Sequence, residues 1–202
     1  MTLWLADRPL VLASKSRIRR AILENAGVAV EVSPADIDER AFEVGAASQD
    51  ADEVAASLAR EKARTVARHL PGRLVLGADQ TLALGQWRFS KPIDRAAARD
   101  QLNVLRGQTH ELHAAMAFAR DGVVLFEHRA VARLTMRMFS DEFRESYLDQ
   151  AGEAVTTSVG GYQVEGAGSQ LFERIEGDHF TILGLPLLPV LDYLRRANAL
   201  AE

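Results

Sequence analysis

Residues 10–20 read LVLASKSRIRR, and the fold follows from this stretch. An apolar run, Leu10-Val11-Leu12, ends at Ala13 and gives way to Ser14-Lys15-Ser16 and then to cations. A short run apolar on both faces is the pattern of a strand covered on both sides, as in an α/β sheet. The two serines are helix-capping residues, so a helix starts near Arg17. The first turn of that helix leaves N–H groups without acceptors, and its dipole favours negative charge there. A strand emptying into a capped helix is therefore an anion site if a ligand reaches it. Otherwise it is a strand–helix junction with solvated cations. Arg19 and Arg20 add planar guanidinium groups suited to phosphate oxygens.

The rest of the chain makes this concentration of positive charge local. Across 202 residues, 24 Lys and Arg stand against 28 Asp and Glu, a net charge of −4, which argues against a general nucleic-acid binder. With 48% hydrophobic and 26% charged residues, the composition is that of a globular domain with a proper core. The absence of cysteine excludes disulfides, zinc–thiolate sites and a cysteine nucleophile. Neither a basic leader nor a spanning apolar segment is visible, so the expected location is cytoplasmic, without a membrane partner.

Working outward, residues 17–26 carry Ile18, Ala21, Ile22 and Ala26 on one stripe and stop at Gly27, as a helix does. A strand is expected over 28–32 and an acidic loop over 34–40. A long helix follows over 50–69, with Val54, Leu58, Ala59, Ala63 and Val66 at helical spacing and Pro71-Gly72 as its stop. Leu74–Leu76 reads as a buried strand ending in Gly77-Ala78-Asp79-Gln80. A hairpin-like segment over 81–89 leads to Lys91-Pro92, and 94–105 reads as a helix. Residues 110–120 and 123–139 form an antiparallel pair about the turn Asp121-Gly122. A capped helix (141–150), a glycine-rich loop (160–168), a short strand (171–175) and a closing helix (187–199) complete a single mixed α/β domain.

Within this frame, Asp79 follows a buried strand, where α/β sheets present ligands, and there it holds a metal or activates water. The bland alternative is a turn-capping aspartate. Asp36, Asp38 and Glu39 cluster in a loop and offer hard oxygen ligands for Mg²⁺. Lys62 sits among Arg60, Glu61 and Arg64 on the long helix, where a solvated face is the ordinary reading. Lys91 is held extended by Pro92. His110-Glu111-Leu112-His113 is no metal box, because residues three apart on a strand face opposite sides. The glycines at 160, 161, 166 and 168 open no helix after a strand and match no dinucleotide fingerprint, and no P-loop is present.

Taken together, LVLASKSRIRRAIL (10–23), ADIDER (35–40), AREKA (59–63), GADQ (77–80), SKP (90–92) and GGYQVEGAGSQLFERIEGDHFTILGLPL (160–187) closely resemble the Maf family of nucleotide pyrophosphatases. The resemblance runs from Leu10 to about Leu194 in the family's order. It implies a mixed α/β fold, one bilobed domain with a deep cleft, related to the inosine triphosphatases and commonly dimeric. It also implies hydrolysis of a nucleoside triphosphate to the monophosphate and pyrophosphate with Mg²⁺ or Mn²⁺. By matching motif, Asp79 is the proton acceptor, and Ser14, Ser16 and Arg19 form the phosphate-binding turn. Lys62 and Lys91 are the family's lysines, the latter in Ser-Lys-Pro where Gly-Lys-Pro is usual. Asp36 stands where the family carries a glutamate and, with Asp79, is the expected metal ligand.

The same resemblance divides substrates. Ile18, Gln80 and Glu165 occupy the positions that separate a thymidine/uridine triphosphate branch from a 7-methylguanosine triphosphate branch. Gln80 and Glu165 match the second, and a carboxylate at Glu165 accepts from guanine N1–H and its amine together. Ile18 lacks the aromatic ring usual in that branch. A pyrimidine or broad preference, and a non-catalytic regulator of division that binds nucleotides, stay as alternatives.

Overall fold

The computed structural model describes residues 3–39 and 50–202, and the chain divides into two compact units. It is a mixed α/β fold with a seven-stranded sheet in the order β2-β1-β3-β5-β6-β7, β4 pairing with β3. Its strands are β1 (Leu10–Leu12), β2 (Val30–Val32), β3 (Val75–Leu84), β4 (Trp87–Phe89), β5 (Thr109–Arg120), β6 (Val123–Met136) and β7 (Phe172–Glu176). Among the described residues its α-helices are α1 (Arg17–Asn25), α2 (Ala51–His69), α3 (Arg95–Leu105), α4 (Asp141–Ala151), α5 (His179–Ile182) and α6 (Leu187–Arg196). No helix among the described residues is long and apolar enough to cross a membrane.

The first unit holds Met1–Gln80, Ala114–Ala130 and His179–Glu202. Its centre is β1, parallel to both β2 and β3, with Leu10 opposite Val30 and Leu12 opposite Leu76. Because side chains alternate along a strand, β1 feeds two cores. Leu10 and Leu12 join Ile22, Leu23, Met116, Phe118, Val190 and Leu194 on one face. Val11 and Ala13 join the alanines of α2 (55, 56, 59, 63 and 67) and Ala115, Ala117 and Ala119 of β5 on the other. The small residues on that face bring α2 close to the sheet. Gly77 of β3 is the closest point: a Cβ there would lie 2.2 Å from the Ala59 carbonyl oxygen and 2.6 Å from the Ala63 nitrogen.

The second unit holds Thr81–His113 and Val131–Asp178. Helices α3 and α4 face each other through Glu145, which accepts from Arg95, Arg99 and Arg144 and is held down to about 2, the Arg99 hydrogen bond being the largest cause. The glycine-rich loop is fastened rather than slack. Gly160 and Gly161 take φ of 77° and 72°, a region that favours glycine, and the Tyr147 hydroxyl donates to the Gly161 carbonyl at 2.9 Å. Tyr162 is buried against His110 and Phe172, its hydroxyl 2.7 Å from His110 Nε2. Among the described residues His110 Nδ1 has no partner, and burial lowers the imidazole to about 4. With the tyrosine hydroxyl as donor to Nε2, the neutral ring carries its own proton on Nδ1. His113 turns the other way, to Glu111 at 3.1 Å, as strand alternation requires.

Two expectations need correction. Strand β3 does not end before Asp79; it continues through Gly77-Ala78-Asp79-Gln80 to Leu84 because its second half pairs antiparallel with β4, Leu82 opposite Phe89. Strand β6 stops at Met136 rather than at 139. Arg40, the end of the expected acidic loop, lies outside the described residues.

Candidate active site

The site is built in the first unit, where the expected turn forms as read. Ser16 is the N-cap of α1 and its Oγ accepts from the Arg19 amide at 3.3 Å. Ser14 Oγ accepts from the Ser16 amide at 3.3 Å and from Arg19 Nη1 at 3.2 Å. Both serines are thus acceptors within the chain, and each keeps its own O–H to donate outward. Lys15, Arg17 and Arg20 are exposed, and Arg20 is spent on Glu24 one turn along α1 at 2.8 Å.

Arg19 is not a solvated cation. It is buried, its Nε donating to the Gly184 carbonyl at 2.8 Å and its Nη1 to the Ala78 carbonyl at 2.7 Å as well as to Ser14. Burial pulls its pKa below the usual value, opposed by the charges of Asp79 and Glu39. One guanidinium therefore ties the anion turn to β3, immediately before Asp79, and to the turn after α5. Among the described residues the hydrogen bonds of Arg19 come from Nε and Nη1, and none from Nη2.

Asp79 and Gly77 share the face of β3 that α2 covers, by alternation along the strand. Lys62 of α2 reaches Asp79 Oδ1 at 2.6 Å and Glu39 Oε1 at 2.9 Å. The side chains of Lys62 and Asp79 are 7% and 11% exposed, so both charges are desolvated, whereas Glu39 is half open. The space that glycine leaves beside Asp79 is filled by the helix, and that close approach is what delivers the ammonium. Replacing a buried ion pair by apolar residues is often neutral or stabilising, so such a pair is weak evidence for stability.

The remaining expected residues fall elsewhere. Gln80 points to the opposite face of β3, its amide donating to the carbonyls of Thr181 and Ile182 at 3.0 and 3.1 Å. Ile18 is half-buried and packs on the apolar cluster of Leu10 and Leu12. Asp36 is exposed in the loop after β2. Lys91 and Glu165 are exposed residues of the second unit, and the carbonyl of Ser90, just before Lys91, accepts from Gln101 at 2.8 Å. Sequence reading missed the partners of Arg19 and Gln80 at the end of α5 and in the turn after it, residues 181–184. Their one signal was the motif 178–187 itself.

Among the described residues no group of three or more His, Cys, Asp or Glu side chains is arranged to hold a metal ion. Asp79 and Glu39, brought together on one ammonium, are hard oxygen donors. They fit a Mg²⁺ or Mn²⁺ ion that completes its shell with phosphate oxygens and water.

Comparison with known proteins gives a consistent result. A family described as Maf-like protein matches residues 9–197. A nucleoside triphosphate pyrophosphatase of Rhodopseudomonas palustris (strain HaA2) is 58% identical over 201 residues, covering 100% of both chains. Its counterpart in strain BisB18 is 56% identical over the same span. A 7-methyl-GTP pyrophosphatase of Rhizobium johnstonii is 51% identical over 193 residues, covering 95% of this chain and 97% of its own.

Proposed function

We infer that this chain, which belongs to the Maf-like protein family, is a nucleoside triphosphate pyrophosphatase releasing the monophosphate and pyrophosphate. The observation that carries the reading is the desolvated Asp79–Lys62 pair, joined by Arg19 to a capped helix start.

A triphosphate repels the oxygen that attacks it, so its charge must be met before water adds. The hydroxyls of Ser14 and Ser16, the amides opening α1, Arg19 Nη2 and Lys91 are the groups we assign to the phosphates. Asp79 is the proton acceptor. Lys62 holds Oδ1, which leaves Oδ2 to take the proton as the water oxygen bonds to phosphorus and the bridging oxygen departs with pyrophosphate. A divalent cation would supply Lewis-acid charge neutralisation, held by Asp36 or Glu39 of the acidic loop while Asp79 serves as the base; were Asp79 itself a ligand, it would act by lowering the pKa of the attacking water instead.

For the base, Glu165 as a two-point acceptor and the 51% identical relative named for 7-methyl-GTP both support a 7-methylguanosine substrate. Ile18 gives no ring for stacking, which leaves uridine and thymidine triphosphates as the second reading. The test is turnover with Mg²⁺ on 7-methyl-GTP, GTP, UTP and dTTP, resolving pyrophosphate from orthophosphate. Pyrophosphate is expected, with 7-methyl-GTP preferred and Glu165→Gln reducing that preference about tenfold or more. Orthophosphate release, or a UTP preference indifferent to Glu165→Gln, contradicts the respective half of the reading.

A further inference from the structure

We propose that Gln163 and Gly168 are positioning residues that present Glu165 to the base. The inference rests on Glu165 reading the base and concerns what holds it ready to do so. Glu165 is exposed, and among the described residues no hydrogen bond or ion pair holds its carboxylate. A glutamate on a slack loop has to be ordered each time a ligand binds, and that ordering is subtracted from affinity. The backbone beneath Glu165 is ordered beforehand. The Gly166 amide donates to the Gln163 carbonyl at 3.2 Å, which closes a turn over 163–166 with Glu165 as its third residue.

The chain leading into this turn is tied at residues 161, 162 and 163. The Gly161 carbonyl accepts from the Tyr147 hydroxyl at 2.9 Å, and the Tyr162 ring packs on His110 and Phe172. The Gln163 amide donates to Thr157 Oγ1 at 3.0 Å, and that hydroxyl donates in turn to the Ala154 carbonyl at 2.8 Å. Past Glu165 the chain folds back onto the same point. Ser169 donates to Gly166 O through its amide at 3.1 Å and its hydroxyl at 2.9 Å. Gly168 lies against the Gln163 backbone: a Cβ there would be 2.4 Å from Gln163 O and 2.9 Å from Gln163 N. Gln163, two residues before the carboxylate, is thus held by its own side chain and by the seat of Gly168. A carboxylate accepting from two donors at once tolerates little tilt, because hydrogen bonds weaken steeply as they bend.

The test uses the full chain carrying Gly168→Ala, Gln163→Ala, Thr157→Val and Thr157→Ser, with Glu165→Gln alongside, each assayed below its own melting transition. The readout is kcat/KM on 7-methyl-GTP divided by that on UTP. Gly168→Ala and Gln163→Ala are each expected to lower this ratio about fivefold or more, chiefly by raising KM for 7-methyl-GTP. Thr157→Val removes the acceptor of the Gln163 amide and follows Gln163→Ala, whereas Thr157→Ser keeps the hydroxyl and the parent's ratio. If Gly168→Ala fails to fold, the Gln163 and Thr157 variants decide. A smaller fall in these variants, where Glu165→Gln lowers the ratio, overturns this inference alone. Equal losses on both nucleotides also overturn it, since they report a structural role without a part in reading the base. If Glu165→Gln itself leaves the ratio unmoved, the reading of the base has failed, and this inference with it.

Discussion

Replacing Gly77 by alanine should damage stability and catalysis together. The added Cβ would sit 2.2 Å from Ala59 O, 2.6 Å from Ala63 N and 3.0 Å from Ala63 Cβ. Two of these are backbone atoms of α2 and cannot rotate away. Ordinary contact needs about 3.5 Å, so helix and strand must separate by roughly 1 Å. Overpacking of this kind costs about 1–3 kcal/mol, which for a chain of this size lowers the melting temperature by roughly 3–10 °C. Lys62 adjoins Ala63 on the displaced turn, so its ammonium leaves the 2.6 Å contact with Asp79. A catalytic group misplaced by about 1 Å costs on the order of a hundredfold in turnover. The assay pairs a thermal melt with pyrophosphate release, and Gly166→Ala is the control, since a Cβ there meets nothing nearer than 3.9 Å. A Gly77→Ala protein that melts and turns over like the parent refutes the argument that α2 is seated through this glycine.

The other predictions follow from burial. His110 is fully buried with its pKa lowered from 6.5 to about 4, so the unfolded chain takes up its proton first as pH falls. Its contribution is complete above 6.5 and is lost between there and about 4, on the order of 3 kcal/mol in urea titrations. His110→Phe should flatten that window, whereas the loss linked to Glu145 begins only below 4.5 and runs towards about 2. An unchanged slope in His110→Phe sinks the assignment. Arg19→Lys cannot serve Gly184 O, Ala78 O and Ser14 Oγ from one ammonium, and should cost about 2–4 kcal/mol, while Arg20→Lys at the exposed pair costs about 0.5 or less. Equal melting of the two variants removes Arg19 from its structural role.

How much of this was legible in the sequence depended on how local the cause was. Ser16, Asp50, Asp94 and Ser140 cap helices at or next to the expected starts, because a cap is settled within one turn of chain. Asp121-Gly122, with φ of 52° and 78°, makes the hairpin that its dipeptide announces. The run of β3 through Gly77–Gln80 was hidden because Gly-Ala-Asp-Gln has the composition of a turn, and its extended state depends on the place of β3 in the sheet between β1 and β5. Lys62 carried a signal that its charged neighbours masked. It falls in register with Leu58 and Val66 on the buried stripe of α2, and a lysine there needs a buried partner. The bonds of Arg19 reach residues 59 and 165 positions away, and no local pattern encodes them.

The central claim is that Asp79, held by Lys62, accepts the proton when water attacks the triphosphate. Its most direct test is pyrophosphate release by Asp79→Asn on the preferred nucleotide with Mg²⁺, at a temperature where circular dichroism shows the variant folded. The account predicts a loss of about 10²–10⁴-fold in kcat with nucleotide binding retained. Turnover within a few-fold of the parent would contradict it.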